Sequence, residues 1–223
     1  MDDLKGGKGM LELRRYPKAE MVAMFGTRNT EGLKRKLRGY GVDFETSGWG
    51  DSLTFEIKEI KDPFKVFAIT ELGVDAGTDF KKMRNFYYYY FNDETFMAMP
   101  DEVKEVWMAK EGNKVSRQTI ASYTQKLVSH NMIEKNTRNY IYYFAYKDTQ
   151  EITTRERYLE AWHDYWGDIS DGYCSFDAIW NMRANYGGVA RKQAIPEVNG
   201  IYNEKIEQML SYIQKSIENE MEG

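Results

Sequence analysis

The chain has 223 residues, of which 42% are hydrophobic, 30% charged and 15% aromatic, with a net charge of -4. That length suits one large or two small domains around a real core, and that charge excludes a globally basic nucleic-acid binder, so any nucleic-acid contact must come from local basic patches. The single cysteine, Cys174, excludes an internal disulfide and fits a reducing cytoplasm; the first ten residues lack the apolar core of a secretion signal, and no apolar run nears the roughly 18 to 20 residues of a membrane span.

The first part runs over residues 11–61. A short helix is expected over 19–25, stopped by Gly26, and Thr30 stands where the N-cap of a second helix over 31–40 would be. Leu33, Leu37 and Tyr40 recur at spacings of four and three, so one face of that helix is buried. Lys34, Arg35, Lys36 and Arg38 make the opposite face basic, with only Glu31 opposing them, and Arg28 adds a cation in the preceding turn. Gly39 and Gly41 end the helix. Residues 42–45 read as a strand and 46–51 as a turn. Residues 52–60 then alternate, with Leu53, Phe55 and Ile57 against Thr54, Glu56 and Lys58. The order is short helix, turn, helix, hairpin.

The second part spans residues 62–147. Residues 64–72 fit a strand or a short helix, and 73–77 are a break. Residues 79–91 have helical character despite four consecutive tyrosines at 87–90. Those rings are a possible stacking platform for single-stranded bases, but packing between modules is the stronger reading. A helix starts at Pro100, with Asp101 and Glu102 in its first turn and Val103, Val106, Trp107 and Met108 as its apolar stripe. After a turn at 110–113 comes another helix, with a polar start at Ser116, Arg117, Gln118 and Thr119 and apolar Ile120, Tyr123, Leu127 and Val128. A break at His130 and Asn131 leads to a ribbon of 132–134 and 140–146 around a polar turn at 136–139, with Arg138 at its tip.

The third part, residues 148–223, reads as a helix over 157–166, a polar loop over 167–172, a helix over 176–184, a turn at 186–188 and a long helix over 203–221. Ile206, Met209, Leu210, Ile213 and Ile217 make the last one amphipathic. Ile206, Leu210, Ile213 and Ile217 serve equally as a homodimer seam or as packing against the helix's own domain.

The chain holds only two histidines, His130 and His163, and none of the spacings that bind zinc, cradle phosphates or build a serine nucleophile. His163, Asp164, Asp168 and Asp171 are the one candidate acidic metal site, and a solvated helix end is the preferred reading of them. Cys174 reads as a small core residue. No enzyme activity, cofactor or metal is expected.

The segment VSRQTIASYTQKLVSHNMIEK resembles the recognition helix and first wing strand of winged helix-turn-helix proteins. The two successive helix-turn-helix-hairpin units resemble the replication initiators of plasmids and phages, and the tail YGGVARKQAIPEVNGIYNEKIEQML is similar to C-terminal segments of proteins from Gram-positive mobile elements. The resemblance implies an α+β, mainly helical fold: tandem winged helix-turn-helix modules (11–61 and 62–147) followed by a C-terminal helical region (148–223). It implies a cytoplasmic protein of a phage or plasmid that binds double-stranded DNA in replication initiation or transcription control. Arg28, Lys34, Arg35, Lys36 and Arg38 would then meet phosphates. Arg117, Gln118, Ser122, Gln125 and Lys126 would face the major groove, since Arg and Gln can bond guanine and adenine edges in a bidentate way, and Arg138 would reach the minor groove or a phosphate. The alternative is an interaction protein on the same scaffold that binds and inhibits a host protein such as a nuclease.

Overall fold

The computed structural model describes residues 11–147, 149–200 and 203–222. The protein is α+β and mainly helical, with two small antiparallel sheets. Its contacts gather into two compact units: one holds the chain up to Tyr88 and the segment after Gly200, the other is Tyr89–Gly200. The expected division at 61/62 and 147/148 follows order along the chain. Contacts instead send residues 149–200 of the third part into unit 2 and its last helix into unit 1.

Unit 1 begins with β1 (Arg15–Pro17), α1 (Lys18–Phe25), α2 (Thr30–Gly39), β2 (Val42–Ser47) and β3 (Thr54–Ile60), and its sheet order is β1-β3-β2. Gly26 ends α1 at φ 63, a left-handed conformation that costs glycine nothing. The N-cap of α2 is Asn29 rather than Thr30: its side-chain oxygen accepts the Glu31 amide at 3.1 Å, so the helix starts one residue earlier than expected. Leu33 and Leu37 are fully buried, as the spacing required, and they meet Tyr16, Met21 and Phe55 in one core. Alternation along β3 holds too, with Leu53, Phe55 and Ile57 buried.

The ambiguous apolar run is a helix, α3 (Pro63–Thr70), capped by Asp62, whose carboxylate accepts the Lys65 amide. The last helix, α10 (Asn203–Glu222), packs on α3. Ser216 on α10 is buried; its hydroxyl accepts the Phe64 amide at 3.0 Å and donates to Asp62 at 2.7 Å. Phe67 and Tyr212 approach ring to ring at 6.0 Å. Ile206, Met209 and Ile213 are thereby buried inside unit 1, while Leu210 and Ile217 are half-buried. The division between units falls within α4 (Phe80–Asn92), where Tyr87 and Tyr90 are fully buried and Tyr88 is exposed.

Unit 2 continues with α5 (Glu94–Ala98), α6 (Asp101–Lys110) and α7 (Arg117–Ser129), then β4 (Ile133–Tyr146), β5 (Thr149–Thr153), α8 (Arg155–Ser170), α9 (Ser175–Tyr186) and β6 (Val189–Val198). Its sheet order is β5-β4-β6. Here the structure departs from the sequence reading in several places. The polar turn expected at 136–139 is continuous strand, so Arg138 lies along β4. The reversal comes at Lys147, with φ 51. Pairing with β6 on both sides of an irregularity between Lys135 and Tyr140 overrides the local turn preference. Neither that strand, β6, nor β5 on the other edge of the sheet is among the elements the sequence predicts. The loop expected at 167–172 is instead helix as far as Ser170, because α8 runs through Gly167, which a helix tolerates at modest cost. Cys174 is exposed at the N-cap of α9, not in the core. In α6 the buried residues are Lys104 and Met108, whereas Val106 is exposed.

Gly188 lets α9 and β6 meet the sheet. A Cβ there would stand 2.9 Å from the Ala145 backbone on β4, closer than real Cβ atoms come. Phe144, Ala161, Met182 and Ala190 form the core beneath α8 and α9. Among the described residues no helix is long and apolar enough to cross a membrane.

Candidate nucleic-acid interface

At 100° per residue, the basic run of α2 does not form one face. Leu33 and Leu37 define the inward direction. Arg35 points opposite to them, Lys34 and Arg38 lie on one flank, and Lys36 lies on the other. Contacts agree with this placement. The Lys36 ammonium donates to the Phe25 carbonyl at 3.0 Å and so ties α2 to the end of α1. Lys34 pairs with Glu31 at 3.3 Å. The Arg38 guanidinium sits 5.8 Å from the Phe44 ring centre. Arg35 and Arg38 are exposed, and Arg28 is exposed in the turn between α1 and α2. Arg35 and Arg38 thus stand on the outer side of α2, with Lys34 half-buried on its flank and Arg28 in the turn before it.

The set expected on α7 separates differently. Gln118, Ser122 and Gln125 are exposed and fall on one face. Ser116 caps the helix by accepting the Thr119 amide at 3.3 Å, which fixes where that face begins. Arg117 leaves it: its guanidinium bonds Glu102 of α6 at 2.8 Å. Lys126 is half-buried on the flank, and Arg138 is exposed on β4.

Glu102 gathers more than one partner. The same oxygen that takes Arg117 also takes Arg191 of β6 at 3.2 Å, and the other oxygen accepts the Tyr143 hydroxyl at 3.3 Å. Burial first, and this carboxylate second, push the Tyr143 hydroxyl up to about 12. Sequence reasoning missed Arg191 because it missed the strand that carries it.

The carboxylates around His163 tie helices together. Asp164 accepts the Tyr186 hydroxyl at 2.6 Å, and Asp168 accepts the Asn181 side-chain amide at 2.9 Å, each joining α8 to α9. Among the described residues, no group of three or more His, Cys, Asp or Glu is placed to hold a metal.

No known protein family, curated protein or solved structure matches this chain.

Proposed function

We propose that the protein binds double-stranded DNA, with α2 of unit 1 as the principal backbone-contacting helix. The observation that carries this reading is Arg35 and Arg38 on the outer side of α2, with Lys34 on its flank and Arg28 in the preceding turn, opposed within that helix only by Glu31. The element order supports it: α1 and α2 lie between β1 and a β2–β3 hairpin in a β1-β3-β2 sheet, the plan of a winged helix-turn-helix unit. Such cations neutralise phosphates and fix register, while the amides and hydroxyl of Gln118, Ser122 and Gln125 are of the type that reads base edges. Lys36 acts indirectly, by holding α2 against α1.

Fluorescence anisotropy with random-sequence duplex DNA at a series of salt concentrations tests the proposal. Three to four phosphate contacts give a log–log salt slope of roughly -3. The double variant Lys34→Glu/Arg35→Glu should flatten that slope and weaken binding at every salt. Salt-independent affinity, or affinity untouched by the double variant, would refute it. A second reading, an interaction protein that blocks a host protein such as a nuclease, is favoured by exposed rings in unit 2, with Trp166 60% and Phe176 70% exposed. It requires that duplex DNA fail to bind at any salt.

A further inference from the structure

Unit 2 contains a pocket that the DNA-binding reading does not use. Four cations from separate segments line one hollow of about 410 Å³: Arg117 of α7, Lys147 of the β4–β5 turn, Arg183 of α9 and Arg191 of β6. Among its described lining residues Glu102 is the lone carboxylate. The local balance is thus strongly positive inside a chain of net charge -4. Glu102 holds Arg117 and Arg191 side by side on one oxygen, and each guanidinium keeps N–H groups beyond that bond.

Arg183 is in a different position. No carboxylate among the described residues pairs with it, its guanidinium carbon lies 5.9 Å from the Tyr146 ring centre, and its Nε is buried without a hydrogen bond. The Lys147 ammonium stands 5.3 Å from the same ring. Gln150 Oε1, also lining the hollow, is buried and receives no hydrogen bond. Buried polar atoms left unsatisfied are rare in folded proteins and call for a partner. A second hollow of about 330 Å³, walled by Tyr146, Trp180, Ala184 and Gly187, shares Tyr146, Trp180 and Arg183 with the first. Trp180 is 58% exposed. The hollow lined by the two rings therefore adjoins the cationic one. Both hollows fall in the size range of small-ligand sites.

A flat ring system joined to an anion fits that pair of hollows. We propose that this composite pocket binds a nucleotide unit, with its base against Trp180 and Tyr146, its phosphate on Arg183, Lys147 and Arg191, and an N–H or O–H of the nucleoside on Gln150 Oε1. Base stacking on aromatic rings and cation contacts to phosphate are the two components of sequence-tolerant single-strand binding. The unit is either a free nucleotide or one nucleotide of an unpaired strand. The site is independent of α2, and it lies entirely within unit 2.

The test uses the full chain with four probes: a labelled single strand of about eight nucleotides, a mononucleotide, inorganic phosphate and a glutamate-rich peptide. The strand is expected to bind saturably, and Trp180→Ala and Arg183→Gln are each expected to weaken it about tenfold or more. Trp180→Phe should keep most of the affinity, and Lys147→Gln, in a surface turn, should lose part of it. Thermal melts equal to the parent show that each variant is folded. Competition by the mononucleotide assigns the site to nucleotides in general, and strand binding without that competition assigns it to a nucleotide within a strand. The proposal is overturned if neither binds, if phosphate or the glutamate-rich peptide binds as well as the strand, or if Trp180→Ala and Arg183→Gln leave strand affinity unchanged. Arg183→Gln should spare the salt-dependent duplex binding, and Lys34→Glu/Arg35→Glu should spare the strand, so the two readings fail separately.

Discussion

Lys104 makes the stability of unit 2 depend on pH in a direction opposite to most lysines. Its side chain is 1% exposed, and its ammonium donates to the carbonyls of Met97 at 3.1 Å and Met99 at 2.8 Å near the end of α5. Burial lowers its pKa from 10.5 to about 8, and Asp101, 3.8 Å away, offsets only part of that. The neutral amine still offers two N–H donors, one for each carbonyl, so deprotonation removes a buried charge without orphaning an acceptor. Below pH 8 the group is charged in both folded and unfolded chains, and the fold carries the full burial penalty. Between pH 8 and 10.5 the unfolded chain holds a proton that the folded one has released, so stability rises with pH. At 1.36 kcal/mol per unit the whole effect is roughly 3 kcal/mol, and going from pH 7.5 to 9.5 recovers roughly 2 kcal/mol of it. The window closes near pH 10, where Tyr90 and Tyr143, whose pKa values burial raises, begin to lose stability as the unfolded tyrosines ionise. Urea unfolding at pH 7.5, 8.5 and 9.5, followed by circular dichroism and by hydrogen exchange of α5 and α6, measures the rise. Lys104→Met should abolish the slope. It should also destabilise at pH 9.5, because the Met97 and Met99 carbonyls lose their donor. A flat parent profile, or the same slope in Lys104→Met, would refute the reasoning.

Other substitutions test the packing and the sites. Leu37→Ala empties a fully buried position under α2 and should cost about 2 to 5 kcal/mol in a urea melt, while taking duplex binding with it. Gly188→Ala puts a methyl against the Ala145 backbone, which has no flexible end to move aside; a loss of roughly 1 to 3 kcal/mol is expected by thermal unfolding. Ser216→Ala leaves the buried Phe64 amide without its acceptor, and hydrogen exchange at the start of α3 should speed up accordingly. Glu102→Gln removes the anion that competes for Arg117 and Arg191, so titration with the single strand should show tighter binding; weaker binding would mean that the carboxylate's ordering of the two guanidinium groups outweighs its competition.

Where the pattern is local, the sequence was informative. Leu33 and Leu37 are buried because a helix of period 3.6 must put them on one side, and Leu53, Phe55 and Ile57 because a strand has period two. What failed depends on partners far away in the chain. Residues 136–139 are locally good turn formers, yet the residues on either side of them pair with β6, some sixty residues further on, and carry the strand through that irregularity. Lys104 sits on the helix face where a sequence pattern expects an apolar residue, and two main-chain carbonyls make its burial possible. Four cations in five positions look like one patch in a string of letters, but the turn of α2 gives Lys36 to α1. Arg117 has the residue type of a base reader, and only the nearness of Glu102 shows that it faces α6. The pocket around Arg183 could not be read at all, because its lining comes from six elements and one of them is β6.

Unit 2 interrupts unit 1, and this sets an order of events at the ribosome. The segment Tyr89–Gly200 is complete before α10, the helix that covers α3, has been made. At synthesis rates of about 5 to 20 residues per second, α3 waits roughly 7 to 30 seconds for its partner. During that interval Phe64, Val66 and Phe67, buried in the finished protein, lack the cover of α10, and the Phe64 amide lacks the Ser216 hydroxyl. The segment before Tyr89 therefore belongs to the unit that matures last, and the nascent chain carries an apolar surface that chaperones or neighbouring chains can find until α10 emerges.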